Sequence, residues 1–218
     1  MTFSLRQKIL AEFIGTYFLV LTVVGSGIMG ELMSNDLGII LLGNTIATGA
    51  ILYVIISMFI NISGAYFNPA VVLSDIIQKN IPINYGIIFI FTQIIAGIFG
   101  CLTANWYFEY PIIEWSLNER VGVFKFFSEI IATVGLLLTI FILKEVNKER
   151  IAFGVALFIT AGYWFTSSTS FANPAVTIGR MFTDSFSGIS PSSVLGFILA
   201  QIIGALIATL VVKLFFNK

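Results

Sequence analysis

Two Asn-Pro-Ala tripeptides, Asn68-Pro69-Ala70 and Asn173-Pro174-Ala175, are the residues of this chain whose types and placement suggest chemistry. Asparagine caps free backbone donors at a helix start, and proline at the first helical position loses nothing by lacking an N–H. A helix is therefore expected from each, over Pro69 to about Asn80 and over Pro174 to about Asp184. About eleven residues at 1.5 Å each make roughly 16 Å, half of a hydrocarbon core about 30 Å thick. Each tripeptide thus opens a half-helix and leaves an amide side chain, Asn68 or Asn173, able to donate N–H groups to a solute's oxygen. A single copy would equally suit the start of a surface helix. Two copies, each within an apolar segment of half-spanning length, argue instead for re-entrant loops.

The surroundings must supply the membrane. The chain has 218 residues, is 58% hydrophobic and 10% charged, and its mean hydropathy is +1.01, outside the range of soluble globular domains. Six stretches are long or apolar enough to read as spans: Lys8 to Met29, Leu37 to Ile60, Ile83 to Trp106, Phe124 to Leu143, the short Ile151 to Thr166, and Ser192 to Phe215. The first begins near the N-terminus but is too long for a secretory signal and reads as a retained helix. Glycines 15, 49, 97, 100 and 204 inside the spans suit close helix contact in lipid. The segments approaching the tripeptides, Ile62 to Tyr66 and Ser167 to Phe171, need a water-filled cavity or protein around them to be tolerated at membrane depth.

Three features recur in the same order in both halves: an acidic residue early in a span (Glu12, then Glu129), Asn-Pro-Ala-Val (Asn68 to Val71, then Asn173 to Val176), and Gln-Ile-Ile (from Gln93, then from Gln201). Each half holds three spans, an odd number, so one half must be upside down relative to the other. The chain is expected to be a single all-α membrane domain, residues 1–218, built of inverted three-helix repeats at about 1–118 and 119–218. The functional site belongs at mid-membrane, where the halves meet. Two half-helices entering from opposite faces would bring two positive N-terminal ends together and repel cations, hydronium included.

Charge orients the bundle. Arg6, Lys8, Lys79, Lys144, Lys148, Arg150, Lys213 and Lys218 fall on the side of the termini, which is therefore expected to be cytoplasmic. Zero net charge and the absence of histidine exclude a nucleic-acid surface, a neutral-pH imidazole switch and a His-based metal site. No nucleophile–base set or metal-ligand cluster is present, so neither enzyme nor cofactor is expected. The single cysteine, Cys101, reads as packing. Glu12 and Glu129 are either partnered inside the membrane or solvated near its interface. Gln93 and Gln201 are polar helix contacts or pore-facing groups, and the many phenylalanines face lipid or pack.

The runs AEFIGTYFLV, NISGAYFNPAVVL and FANPAV resemble the major intrinsic protein family, the aquaporins and glycerol channels, across nearly the whole chain. The resemblance implies an aquaporin fold in a lipid bilayer, a homotetramer of independently conducting bundles, Asn68 and Asn173 in the pore, and Glu12 and Glu129 accepting hydrogen bonds from the re-entrant backbone. It also implies a selectivity filter, and here the chain departs. Val176 stands where most members carry arginine, and spacing from the turns puts Thr48, Ala161 and Ser170 at the other filter positions. All four are small, so a wide, uncharged constriction is expected. Arg180, four residues on, either restores part of the charge or is neutralised by Asp184 or a loop carbonyl. The stretch from Asn173 to Arg180 is similar to bacterial aquaglyceroporin-like channels associated with arsenic resistance, which implies the bacterial inner membrane and passage of arsenous acid. The expectation is a passive channel for small neutral solutes: glycerol-like polyols, metalloid hydroxides and water. The alternatives are a channel mainly for water, a coupled secondary transporter, or a closed structural protein with Tyr66 and Phe171 as plugs.

Overall fold

The computed structural model describes residues 2–216; Lys218, counted above among the terminal-side cations, lies outside them. Among the described residues the ordered elements are all helical: α1 (Leu5–Met33), α2 (Leu37–Phe59), α3 (Pro69–Ile77), α4 (Ile83–Tyr107), α5 (Val123–Val146), α6 (Ile151–Phe165), α7 (Pro174–Gly179) and α8 (Pro191–Phe216), with 3-10 turns at Lys148–Arg150 and Arg180–Phe182. Local chemistry sets the starts. Ser4 and Gln7 form a capping box at α1, the Asp36 carboxylate caps two amides of α2, and Asn68 and Asn173 cap α3 and α7 ahead of a proline.

Five helices, α1, α2, α4, α5 and α8, are long and apolar enough to cross a membrane. The sixth expected span is α6, with 15 residues, which packs in the same bundle against α2 and α5. Its shortness is offset where the Lys148–Arg150 turn prolongs it. The half-helices are also shorter than expected. The α3 helix stops at Ile77 rather than Asn80, because Lys79 takes a left-handed φ of 60° and the Asn80 amide turns back onto Asp75 O. The α7 helix stops at Gly179, tightening into the Arg180–Phe182 turn before Thr183 goes extended.

The long helices pair as α1 with α4 and α5 with α8, and α2 meets α6 between the two pairs. The two short helices fill the centre, α3 against α4 and α8, α7 against α1, α4 and α8. Backbones come close where glycine permits. A Cβ built on Gly97 would lie 2.9 Å from Ala175 O, and one on Gly179 would lie 2.8 Å from Gly97 O, so α4 and α7 touch main chain to main chain. Gly100 makes the same kind of contact with α1, at Tyr17 O and Leu21 N. Phenylalanines 91, 99, 124, 127 and 153 are exposed on the outer surface, as lipid-facing residues would be.

What carries the re-entrant loops is a pair of carboxylates with no exposure at all. Glu12 accepts from Tyr66 N (3.0 Å), Phe67 N (2.8 Å), the Ser63 hydroxyl (2.6 Å) and Gln93 Nε2 (2.7 Å). Glu129 accepts from Ala172 N and Gln201 Nε2, both on Oε1, and its Oε2 has no hydrogen-bond partner among the described residues. Both carboxylates are therefore partnered inside the protein, and the two glutamines hold them. The bound loops are contorted: Ala65 and Phe67 before Asn68, and Ser170 and Ala172 before Asn173, all have positive φ between 47° and 52°. Such residues cost about 1–3 kcal/mol each and persist where the surroundings over-determine them.

Replacing Glu12 by Ala strands two buried amides and a hydroxyl, so E12A should lower stability by about 3 kcal/mol or more, read as a drop in thermal midpoint in detergent. An E12A midpoint equal to wild type would deny the carboxylate this role. Gly179→Ala overpacks the α4–α7 contact and should cost about 1–3 kcal/mol by the same measurement, while Gly196→Ala, which meets nothing within 4 Å, should be neutral or mildly stabilising.

Candidate functional site: a cavity through the centre of the bundle

The α3 and α7 helices begin at one point and diverge. Asn68 Nδ2 donates to Ala172 O (2.7 Å), and Asn173 Nδ2 donates to Phe67 O (2.8 Å), so each asparagine is tied to the residue preceding the other. The Asn68 Oδ1 accepts from Ala70 N, and the Asn173 Oδ1 from Ala175 N and Val176 N. A primary amide has two N–H donors. One on each asparagine is spent on the opposite loop, and the other remains for the cavity that both residues line.

That cavity has a volume of about 410 Å³. At the side of the termini its lining includes Asn61, Lys144, Lys148 and Glu149; it continues past Asn68, Val71, Asn173 and Val176, and on the far side it stops at Phe171 and Arg180. Peptide planarity gives one wall its character. The N–H groups of Tyr66 and Phe67 point at Glu12, so the carbonyls of Ala65 and Tyr66 in the same peptide planes face the other way. Gly64 through Asn68 line the cavity, offering acceptors along it while the donors of Asn68 and Asn173 sit at its middle.

Of the tripeptides, only the asparagines line the cavity; Pro69, Ala70, Pro174 and Ala175 are buried in packing. Of the four expected filter residues, Thr48, Ser170 and Val176 line it. Ala161 is corrected: it is exposed on the outside of the bundle. On α6 the inward stripe runs Ile151, Val155, Ile159 and Tyr163, a four-residue period that leaves residue 161 on the opposite face. Tyr163 takes the inward place, its hydroxyl 3.2 Å from Thr48 Oγ1. Ser170 fits because Gly162 has no side chain there, and its buried hydroxyl has no protein partner.

The expectation of an uncharged constriction is also changed, because Arg180 lines the cavity. Its Nε donates to Ser187 O, its guanidinium carbon lies 3.5 Å from the Phe171 ring centroid, and its side chain is 2% exposed. Asp184 is not its partner; that carboxylate caps Leu117 N at 2.7 Å. Sequence reasoning missed Tyr163 and a second cation, Arg120. The latter donates to Gly188 O, Thr169 Oγ1 and Phe186 O, and sits 5.0 Å from the same Phe171 ring. Burial pulls the Arg120 guanidinium below its ordinary pKa, yet arginine remains protonated. Residues 108–122 fold back to bring it there, with Glu114 N on Phe182 O and Ser116 N on Met181 O.

At the opposite mouth Asp75 gathers Lys144 Nζ (2.8 Å), Tyr66 Oη (2.9 Å) and Asn80 Nδ2 (2.7 Å). Lys144 and Asp75 form an ion pair there. No group of three or more metal-ligating side chains occurs among them.

Comparison with known proteins agrees with this architecture. The family model described as Major intrinsic protein matches residues 1–151 and 144–218. Aquaglyceroporin AqpS of Rhizobium meliloti (strain 1021) is 41% identical over 206 residues, covering 94% of this chain and 88% of its own. A probable TIP-type aquaporin of Medicago truncatula is 32% identical over 183 residues, 78% of this chain and 72% of its own. Among solved structures, the aquaglyceroporin from Plasmodium falciparum superposes with a TM-score of 0.72 over 99% of this chain and 96% of its own; at 21% identity it speaks for the fold alone. With the family model covering the chain from end to end and a relative at 41% identity along most of it, the chain belongs to the major intrinsic protein family of membrane channels.

Proposed function

We propose that the chain is a passive channel for small uncharged solutes, conducting glycerol-like polyols, metalloid hydroxides such as arsenous acid, and water. The observation that carries this reading is a single cavity with carbonyl acceptors along one wall and two asparagine donors at its middle. A solute hydroxyl entering it exchanges water for ready-made partners, whereas an ion would surrender a hydration shell that carbonyls on one wall replace only in part. The first turns of α3 and α7 both present positive ends at the meeting point, which disfavours cations and turns the hydrogen-bond chain of bound water about the two asparagines.

In this reading Thr48, Tyr163, Ser170 and Val176 set the size limit beyond the asparagines. Val176, which carries no donor, leaves that level more open and more apolar than an arginine would. The similarity to an aquaglyceroporin favours polyols over strict water selectivity. The two halves, about 1–118 and 119–218, are read as inverted repeats, each supplying one buried glutamate, one Asn-Pro-Ala and one glutamine. The assembly is proposed as a homotetramer in a bacterial inner membrane with both termini cytoplasmic, following the lysine and arginine count.

Purified protein in proteoliposomes, followed by light scattering under osmotic gradients of glycerol and arsenous acid and for water itself, should relax faster than empty vesicles. Relaxation equal to empty vesicles for all three would end the proposal. Val176→Arg should narrow the passage; a barrier raised by about 1.4 kcal/mol would cut glycerol flux roughly tenfold and water flux less. Glycerol flux unchanged by V176R would place Val176 away from the constriction. Tyr163→Phe, which removes only the hydroxyl facing Thr48, should alter the glycerol-to-water ratio without loss of folded protein.

A further inference from the structure

We propose that Arg180 is the cation barrier of this channel, placed about two helical turns beyond the asparagine junction and held there by Phe171 and the loop behind it. The inference rests on the channel reading above and concerns what keeps ions out of it.

Three observations lead to it. First, Arg180 lines the cavity at its far limit, where the lining ends with Phe171, while no residue of 108–122 or 183–190 reaches it. A buried charge on the wall of a low-dielectric passage acts on whatever crosses it, with little screening by solvent. Second, the charge is not neutralised. Among the described residues Arg180 makes one hydrogen bond, from Nε to Ser187 O, and no carboxylate pairs with it. The carboxylate it feels electrostatically is Glu129, which Arg120 shares and whose Oε1 serves the loop and Gln201. Two guanidinium groups thus share Glu129, while the loop carboxylates are engaged elsewhere, Asp184 on Leu117 N and Glu31 on the Phe186 backbone, so Arg180 has no carboxylate of its own. Third, the placement is built. The guanidinium stacks on Phe171 at 3.5 Å, a geometry favoured by the ring's quadrupole, and Phe171 is itself fixed edge-on by Phe197 at 5.1 Å. Arg120 borders the same ring and bonds to two carbonyls and a hydroxyl.

Arginine carries five N–H donors. With Nε committed to Ser187, the terminal nitrogens of Arg180 can meet the oxygen of a passing hydroxyl beside Ser170 and the Thr48–Tyr163 pair. The same group thus repels a cation and welcomes a neutral polyol. Val176 and Arg180 are four residues apart, hence on one side of the half-helix, and both line the cavity; a substitution at Val176 can therefore address the Arg180 charge without touching its bonds.

The test measures sodium and proton leak alongside glycerol flux in proteoliposomes. Arg180→Gln should raise cation leak roughly tenfold, with glycerol flux still above that of empty vesicles, while Arg180→Lys should stay tight to cations. Should R180Q fail to fold, Val176→Asp sets a carboxylate one turn from Arg180, where it offsets the charge by pairing with it, and should raise the leak in the same way. Cation-tight vesicles from folded R180Q, or from V176D, that still conduct glycerol would overturn this proposal alone. Wild-type vesicles without solute flux would remove the channel reading and this barrier with it.

Discussion

Backbone that leaves helical geometry in the middle of a bilayer has no water to turn to, and every other feature of this protein follows from how that requirement is met. Glu12 and Glu129 meet it. Each is placed early in a long helix, wholly buried, and accepts hydrogen bonds from a loop that would otherwise carry stranded amides, two amides at Glu12 and one at Glu129. Because the donors are drawn outward to the carboxylates, the acceptors are left for the interior. The cavity's polarity is a by-product of how its wall is fastened.

The crossed asparagine bonds close the arrangement. With Asn68 tied to Ala172 and Asn173 to Phe67, neither loop can shift without breaking a bond to the other, so the left-handed residues ahead of each asparagine are held by both halves at once. Strain of this kind is tolerated where it is over-determined, and here it is what aims the amides. The junction is thus stiff, with one free N–H per asparagine in fixed directions, a form of preorganisation that spares a passing solute the cost of ordering its partners.

Much of this was legible in the residues. Length, apolarity, the doubled tripeptide and the matched glutamates pointed to the membrane, the half-helices and their support, because each is a local signal with a direct physical reading. The face that a helix turns inward was harder. Ala161 was chosen by distance along the chain from the turns, but rotation about the axis of α6 decides what lines the cavity, and the apolar stripe from Ile151 to Ile159 continues to Tyr163. Every position of α6 is apolar or small, so the pattern carries little contrast between lipid and interior. Arg120 was out of reach for another reason: its place depends on residues 108–122 folding back onto the Arg180–Phe182 turn, a tertiary event without a motif. For Arg180 two readings stood open, a loop carbonyl as partner or a restored charge, and the geometry joins them: the carbonyl of Ser187 takes one donor and leaves the charge in the cavity.

The glycine contacts have a consequence for how such a channel can be regulated. Where Gly97 meets Ala175, Gly179 meets Gly97 and Gly100 meets Tyr17, main chains lie against each other with no side chain between them to change rotamer and take up slack. A frame joined in this way transmits force but has little room to slide, since packed interfaces switch between discrete arrangements instead of deforming smoothly. Any rearrangement is therefore easier outside that frame, where Lys144 and Asp75 at one end of the cavity and the Arg120 loop behind the other are held by a few polar bonds that can break and re-form while the walls stand still.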